Sequence, residues 1–498
     1  MRRRIERNPA RWSAWLTVAG LGAAYLAMTG TLITRRVLWN DELFTYYIAV
    51  RPTLRDVWHT LLTGAEQLPP FFYAVTRSGI AIFGLSTFSL RISEMFGVGV
   101  AALTVYWFSA RRTSSVCATA GAIFLLCTAA YEYAYEARPY GLVLGFSGLA
   151  LVAWQRATEN SERRGIALGG LALMLTAAVH THYYAALVLG PLCASEFARS
   201  FVRRRLDLPV WVSLFLPLVT LMPLAPLLRA ASRYAGSFWS LPSWPGILDT
   251  YQRLISSAVP ALVLLAIVAA MFKLPESPVQ SRRLDPPLHE LIAIGCLALL
   301  PLEEYGFAKI ITHAFTMRYV LPTTLAVAIL VAWGLDWAIG DRPRVSVLAT
   351  LLLGTCFVAN FVHEKNALRG GADNLRDVCR FLEATDQNLT VVIAAPHTFF
   401  EISHYAPPGL KARLTYLADV QIATDRTETD TPERGLIALK EIAPLRVIGY
   451  REFLKSGRPF LVYANPGPYS WVVQQLAEDG RRIEVSRARG DIFLFLVN

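Results

Sequence analysis

Charge is what this chain has least of. Asp, Glu, Lys and Arg make up only 17% of its 498 residues, where soluble domains carry roughly 25%. So thin a supply of charge excludes an ordinary water-facing globular surface. Cysteine is nearly as scarce: of the 6 present, Cys117, Cys127, Cys193, Cys296 and Cys356 fall inside apolar runs and Cys379 stands alone further on. That pattern excludes a disulfide framework. No internal repeat or low-complexity segment is present, which removes one sign of a secondary transporter. No small-residue cleavage site follows the apolar run at 13–33. The N-terminal stretch therefore reads as a retained first span, not a signal peptide.

Apolar residues are abundant. Hydrophobic content is 54% and mean hydropathy +0.39, the composition of a polytopic membrane protein. Runs near the roughly 20 residues a spanning helix needs recur at 12–33, 92–110, 115–131, 139–155, 165–180, 183–198, 208–228, 256–272, 288–306, 318–338 and 345–362. The expected architecture is thus a polytopic α-helical membrane protein of about eleven spans over residues 1–365. A small α/β domain follows at 366–498, where helical "NLRDVCRFLEA" and "PYSWVVQQLAEDG" alternate with strand-like "LTVVIAA", "RPFLVYA", "RRIEVSRA" and "DIFLFLVN".

The net charge of +11 does not point to nucleic acid, because the basic residues lie in short clusters between apolar runs. They report membrane orientation. One apolar stretch, "LPPFFYAVTRSGIAIFG" at 68–84, decides the threading. If it does not cross, the clusters at 1–11, Arg111 with Arg112, 162–164, 199–205, Lys273 with Arg282 and Arg283, and Arg342 with Arg344 all fall on the inside. If it crosses, all but the first fall outside. With Pro69, Pro70, Arg77 and Gly79, the stretch reads as an interfacial or re-entrant helix.

This threading gathers the polar chemistry on the outer face, together with the C-terminal domain of what is then a multi-pass inner (plasma) membrane protein. Asp41 and Glu42 stand just beyond the first span in "LWNDELFTYY". Asn40 or Asp41 could cap a helix there, or the acidic pair could do base chemistry at a low-dielectric bundle mouth. "YEYAYEARPYGL" offers Glu132, Glu136 and Arg138 among four tyrosines. The tyrosines suit interfacial anchoring, and the arginine fork suits phosphate oxygens. His180 and His182 fit interfacial hydrogen bonding better than metal ligation, for which no spacing supplies the remaining ligands. His313, Arg318 and Tyr319 in "HAFTMRYVLP" make a second cationic entry, unless Arg318 only snorkels to the interface.

In order along the chain, "NDE", "QLPPFFY", "FSLRISEMFG", "YEARPYGL" and "MRYVLP" resemble the GT-C superfamily of membrane glycosyltransferases, especially its bacterial protein-mannosyltransferase-like and aminoarabinose-transferase-like branch. The resemblance implies a GT-C-like fold with interfacial helices in the first outer loop. It also implies a polyprenyl-phosphate-linked sugar donor, a hydroxyl acceptor on a glycan, lipid or protein, and an inverting displacement at the anomeric carbon. Asp41 then matches the general base, with Glu42 and Glu136 as its acidic companions in catalysis. Arg138, Arg318 and Tyr319 are the candidates for the donor phosphate, and Gln67, His180, His182 and His313 for other substrate contacts. Gln67 and Leu68 precede Pro69 where aminoarabinose transferases carry a basic residue, so the phosphate contact must come from elsewhere. "YEARPY" does not reproduce the second acidic motif of the metal-binding oligosaccharyltransferases, so no cofactor is required and a divalent metal stays open. Readings from other classes are a transporter or lipid flippase, which calls for charged or broken-helix sites at mid-membrane, and a binding or assembly protein acting through its tail.

Overall fold

The computed structural model describes residues 9–159, 162–234, 237–272, 286–465 and 469–498. The basic positions at 1–8 and 273–285, which carry part of the expected charge asymmetry, lie outside them. Among the described residues six helices are long and apolar enough to cross a membrane: Thr87–Ser109, Arg164–Thr181, Tyr183–Arg203, Leu208–Tyr234, Trp244–Phe272 and Pro343–Glu383. Two bent pairs, Ser115–Cys127 with Ala129–Tyr135 and Leu288–Ala298 with Leu300–Thr312, turn by 68° and 57° and raise the number to eight. Eleven spans are therefore not confirmed. Of the remaining expected spans, Thr323–Ile339 has only 17 residues, because Pro322 and the 3₁₀ turn Met317–Val320 take up the start of that run. The apolar stretch at 68–84 forms the helix Pro70–Phe83, whose 14 residues span about 21 Å, and it is not among the candidate spans. Its Arg77 ties down the preceding loop, donating to the carbonyls of Ala49 at 2.7 Å and Pro52 at 3.0 Å, and to that of Arg51.

Helices Thr87–Ser109 and Tyr140–Thr158 cross backbone to backbone. A Cβ on Gly97 would meet the Gly141 carbonyl carbon at 2.4 Å, and one on Gly145 would meet the Gly97 oxygen at 2.6 Å, so only glycine allows this approach. The contact holds the "YEARPY" junction beside the start of Thr87–Ser109. The four tyrosines of that junction, Tyr131, Tyr133, Tyr135 and Tyr140, are buried in the bundle and do not act as interfacial anchors.

The C-terminal sheet has the order β3-β2-β1-β4-β6-β5, with β1 Thr390–Ile393, β2 Leu414–Ala418, β3 Val447–Gly449, β4 Phe460–Ala464, β5 Ile483–Arg489 and β6 Ile492–Val497. β1 to β4 run parallel, and β6 pairs antiparallel with β4 and β5. Strands β2 and β3 were not visible as alternating runs because β2 is buried on both faces and β3 has only three residues. The expected boundary at 365/366 falls inside one 41-residue helix, Pro343–Glu383, about 60 Å long. The helical bundle and the C-terminal sheet region are further joined by a shared core, in which Leu38, Leu43, Tyr47, Leu90 and Ala137 pack with Phe399, Phe400 and Leu436.

Candidate active site

Between the helical bundle and the sheet lies a cavity of about 570 Å³. Asp41 enters it from the helix Asn40–Ala49, which is clamped from the soluble side. There Glu401 accepts from the Asn40 amide at 3.1 Å, Tyr405 from the Leu38 amide at 2.6 Å, and Tyr47 hydrogen-bonds with His404 at 3.0 Å. Asp41 is the second residue of this helix and its side chain caps nothing. The helix starts after Trp39, whose amide donates to Glu42 at 3.3 Å, so the capping role expected at Asn40 or Asp41 passes to Glu42 at the third position.

Arg318, on the turn Met317–Val320, donates to Asp41 Oδ2 at 2.5 Å. Its guanidinium also lies 5.4 Å from the Trp239 ring centroid and 5.8 Å from that of Tyr140. Arg138 donates to Glu66 at 2.7 Å and to the Asp41 carbonyl at 3.1 Å. Burial pushes the Asp41 carboxyl up, but Arg318 and Arg138 outweigh it and hold the group down to about 2. Asp41 is therefore ionised at neutral pH, in contact with the cation best placed to bind an anionic substrate.

The expected residues divide into two groups. Asp41, Gln67, Arg138, His182, Arg318 and Tyr319 all line the cavity, with Tyr319 stacked on Tyr184 at 4.0 Å and beside His182 at 4.9 Å between ring centroids. Glu42, Glu136, His180 and His313 do not line it. Glu42 is fully buried and takes both ends of the Arg91 fork at 2.6 Å plus the Ala137 amide at 2.6 Å. Arg91 spends its other donors on the carbonyls of Ile33, Arg36 and Val37. Glu42 thus positions the first turn of the Asp41 helix without reaching the cavity. Glu136 pairs with Arg36 at 3.1 Å, His180 meets Thr220 at 3.0 Å, and His313 sits at a helix end with φ +55°. Spacing alone could not separate the two groups, since neighbours such as Asp41 and Glu42 point different ways on one helix.

Cavity residues that escaped the sequence reading include Glu66, His397 and Tyr469. Glu66, partner of Arg138, sits unmarked before the double proline. His397 and Tyr469 come from the soluble domain, more than 300 residues from Asp41 in sequence, where no local pattern could join them. Burial lowers the His397 pKa while Asp41 opposes this. Among the described residues no three His, Cys, Asp or Glu side chains gather as a metal site. The cavity carboxylates are each engaged by an arginine, so the donor set does not fit a divalent ion and no step is routed through one.

No family model matches the chain, and no curated protein matches it. Solved structures do. ArnT from Cupriavidus metallidurans bound to undecaprenyl phosphate superposes with a TM-score of 0.54 at 14% identity, covering 95% of this chain and 96% of that one. The fold is the GT-C fold. The same ArnT in the apo state gives 0.54 at 14% identity over 97% and 98% of the two chains. The Archaeoglobus fulgidus oligosaccharyltransferase complex with Zn and sulfate gives 0.42 at 12% identity over 88% and 67%. The likeness to ArnT at this identity shows the fold and leaves chemistry to the site.

Proposed function

We propose that this GT-C protein is an inverting glycosyltransferase of the inner membrane. It would move a sugar from a polyprenyl-phosphate-linked donor to a hydroxyl acceptor on the outer face. One observation carries the reading: a half-buried carboxylate, Asp41, pairs with Arg318 while Arg138 donates to the Asp41 backbone carbonyl, in a cavity whose membrane side carries apolar Leu228, Phe307 and Ile311. A lipid phosphate needs both cations and an apolar approach, and an acceptor hydroxyl needs a base. Undecaprenyl phosphate is the molecule bound in the ArnT structure.

In the proposed reaction the acceptor oxygen attacks the anomeric carbon while the bond from that carbon to the phosphate oxygen breaks. The phosphate leaves with the electron pair and the acceptor proton goes to Asp41. Arg318 serves twice. Unoccupied, it keeps Asp41 ionised; when the donor phosphate takes up its fork, Asp41 loses a cation and its proton affinity rises where a base is needed. Arg138 is the second phosphate contact, and Tyr319 and His182 border the same space. Residues 1–365 supply the donor side and 366–498 the extracytoplasmic side.

Release of polyprenyl phosphate from a labelled lipid-linked sugar tests this. Asp41→Asn removes the base with little change in size and should slow transfer about 10² to 10⁴-fold while donor binding persists. Near-normal turnover by folded Asp41→Asn protein would refute the base assignment.

A further inference from the structure

The soluble domain contributes more than a cover to the cavity. Its parallel strands run β3-β2-β1-β4, so the chain leaves β1 toward β2 on one side while β4 lies on the other. In open α/β sheets the crevice beyond the carboxyl ends of two such strands is where ligands bind. β1 and β4 end level, with Ile393 paired to Tyr463. The segments that follow them carry His397 and Tyr469, and both line the same cavity as Asp41. The switch point of the sheet thus opens onto the carboxylate.

The groups around this crevice are poised for a ligand. The His397 ring makes an edge contact to Tyr469 at 5.2 Å between centroids and has no hydrogen bond among the described residues. Tyr469 itself is held at φ +76°, a strained conformation for a side chain of that size. Its chemistry is also one-sided. Among the described residues, those of the C-terminal domain that line the cavity include His397, Thr431, Pro432 and Tyr469 and no charged side chain, whereas the lining arginines, Arg138 and Arg318, come from the helical bundle.

We propose that this crevice between β1 and β4 is the acceptor site, and that the acceptor is a neutral saccharide whose ring packs on Tyr469 and whose hydroxyls bond His397. The proposal rests on the glycosyltransferase reading and names its acceptor class. A phosphorylated headgroup would find no cation among the described lining residues on this side, while a sugar ring offers an apolar face to the tyrosine and hydroxyls that both donate and accept. The hydroxyl facing Asp41 is the one that attacks.

The test uses full-length protein in lipid nanodiscs and two photoreactive probes, a neutral alkyl glycoside and a serine-containing peptide, each with a diazirine. Labelled residues are mapped by mass spectrometry. The glycoside should label the chain beside His397 and Tyr469 in the wild type and equally in Asp41→Asn, with the peptide failing to compete. His397→Ala with Tyr469→Ala should cut labelling about tenfold, the loss expected for roughly one hydrogen bond and its packing, and raise the glycoside KM by a similar factor while the donor KM holds. Tyr469→Phe, which keeps the ring, should restore most of the labelling. Labelling by the peptide alone would overturn the saccharide assignment. If wild-type protein releases polyprenyl phosphate but the glycoside labels elsewhere, the acceptor crevice is wrong and the glycosyltransferase reading stands. If the glycoside labels the crevice but no lipid-linked sugar is ever turned over, the site stands and that reading fails.

Discussion

Asp41 is pulled in two directions, and its behaviour with pH shows which wins. Burial favours the protonated carboxyl, yet Arg318 at 2.5 Å and Arg138 bring the group from its ordinary 3.8 down to about 2. A depressed carboxylate stabilises the fold above its unfolded value. That contribution is present above 3.8 and is lost as pH falls toward 2. The wild-type kcat/KM profile should therefore show no acid limb from Asp41 at mildly acidic pH. In Arg318→Gln the nearer cation is gone and burial dominates, so an acid limb should move up by about one to three pH units. Overall rate should also fall through loss of a phosphate contact. The pH profile of the residual activity decides the matter, and an unmoved limb would show that Arg318 does not control Asp41. Glu42 illustrates the opposite case: an adjacent carboxylate with the same chemistry is spent on Arg91 and on the backbone amides of Trp39 and Ala137.

At the scale of elements, the site depends on how closely two helices approach. Thr87–Ser109 carries Arg91, which grips Glu42, and Tyr140–Thr158 follows directly on Arg138. Their crossing at Gly97, Gly141 and Gly145 leaves no room for a side chain, and the obstacle is backbone, which cannot rotate aside. Gly97→Leu should force the pair apart and cost at least about 3 kcal/mol, the upper end of ordinary overpacking. Thermal unfolding in detergent would register a clear fall in Tm, with loss of polyprenyl phosphate release. A variant that melted and turned over normally would mean that the crossing does not position the site. Helix Pro343–Glu383 acts over a longer reach, since one unbroken element leads from the bundle to the sheet that roofs the cavity.

For the whole molecule, sidedness is the property that matters. Thr87–Ser109 begins beside the cavity, and its far end, about 35 Å away, runs into Arg111 and Arg112. Arg112 there pairs with Glu290 at 2.6 Å, while Arg199 and Arg164 meet Asp207 at 2.5 Å near another basic loop. Cavity and basic loops thus sit at opposite ends of the same bundle. By the preference of basic loops for the inside, the cavity should face out. In intact cells and a cysteine-free background, a membrane-impermeant thiol reagent should label a cysteine placed at Gly371, an exposed position beside the soluble domain, and spare one at exposed Arg203. The reverse pattern would invert the protein and remove an outer-leaflet donor from the account.

Some of this was already decided by composition and order along the chain. Long apolar runs cannot be hidden in a domain of this charge content, so a membrane bundle with a polar tail was legible, as was the clustering of Asp41, Arg138 and Arg318 near span ends. Local chemistry also marked Pro70–Phe83 as unlike a span. What the chain could not disclose was direction and distance. Whether Asp41 or Glu42 faces the cavity depends on a helix start set by Trp39 and on where Arg91 arrives from the next span. The number of crossings depends on bends at 68° and 57° that packing imposes on otherwise continuous apolar runs. The meeting of His397 and Tyr469 with Asp41 depends on sheet order. That order follows from which strands find each other across long loops, and contacts between residues hundreds of positions apart leave no periodicity in a sequence.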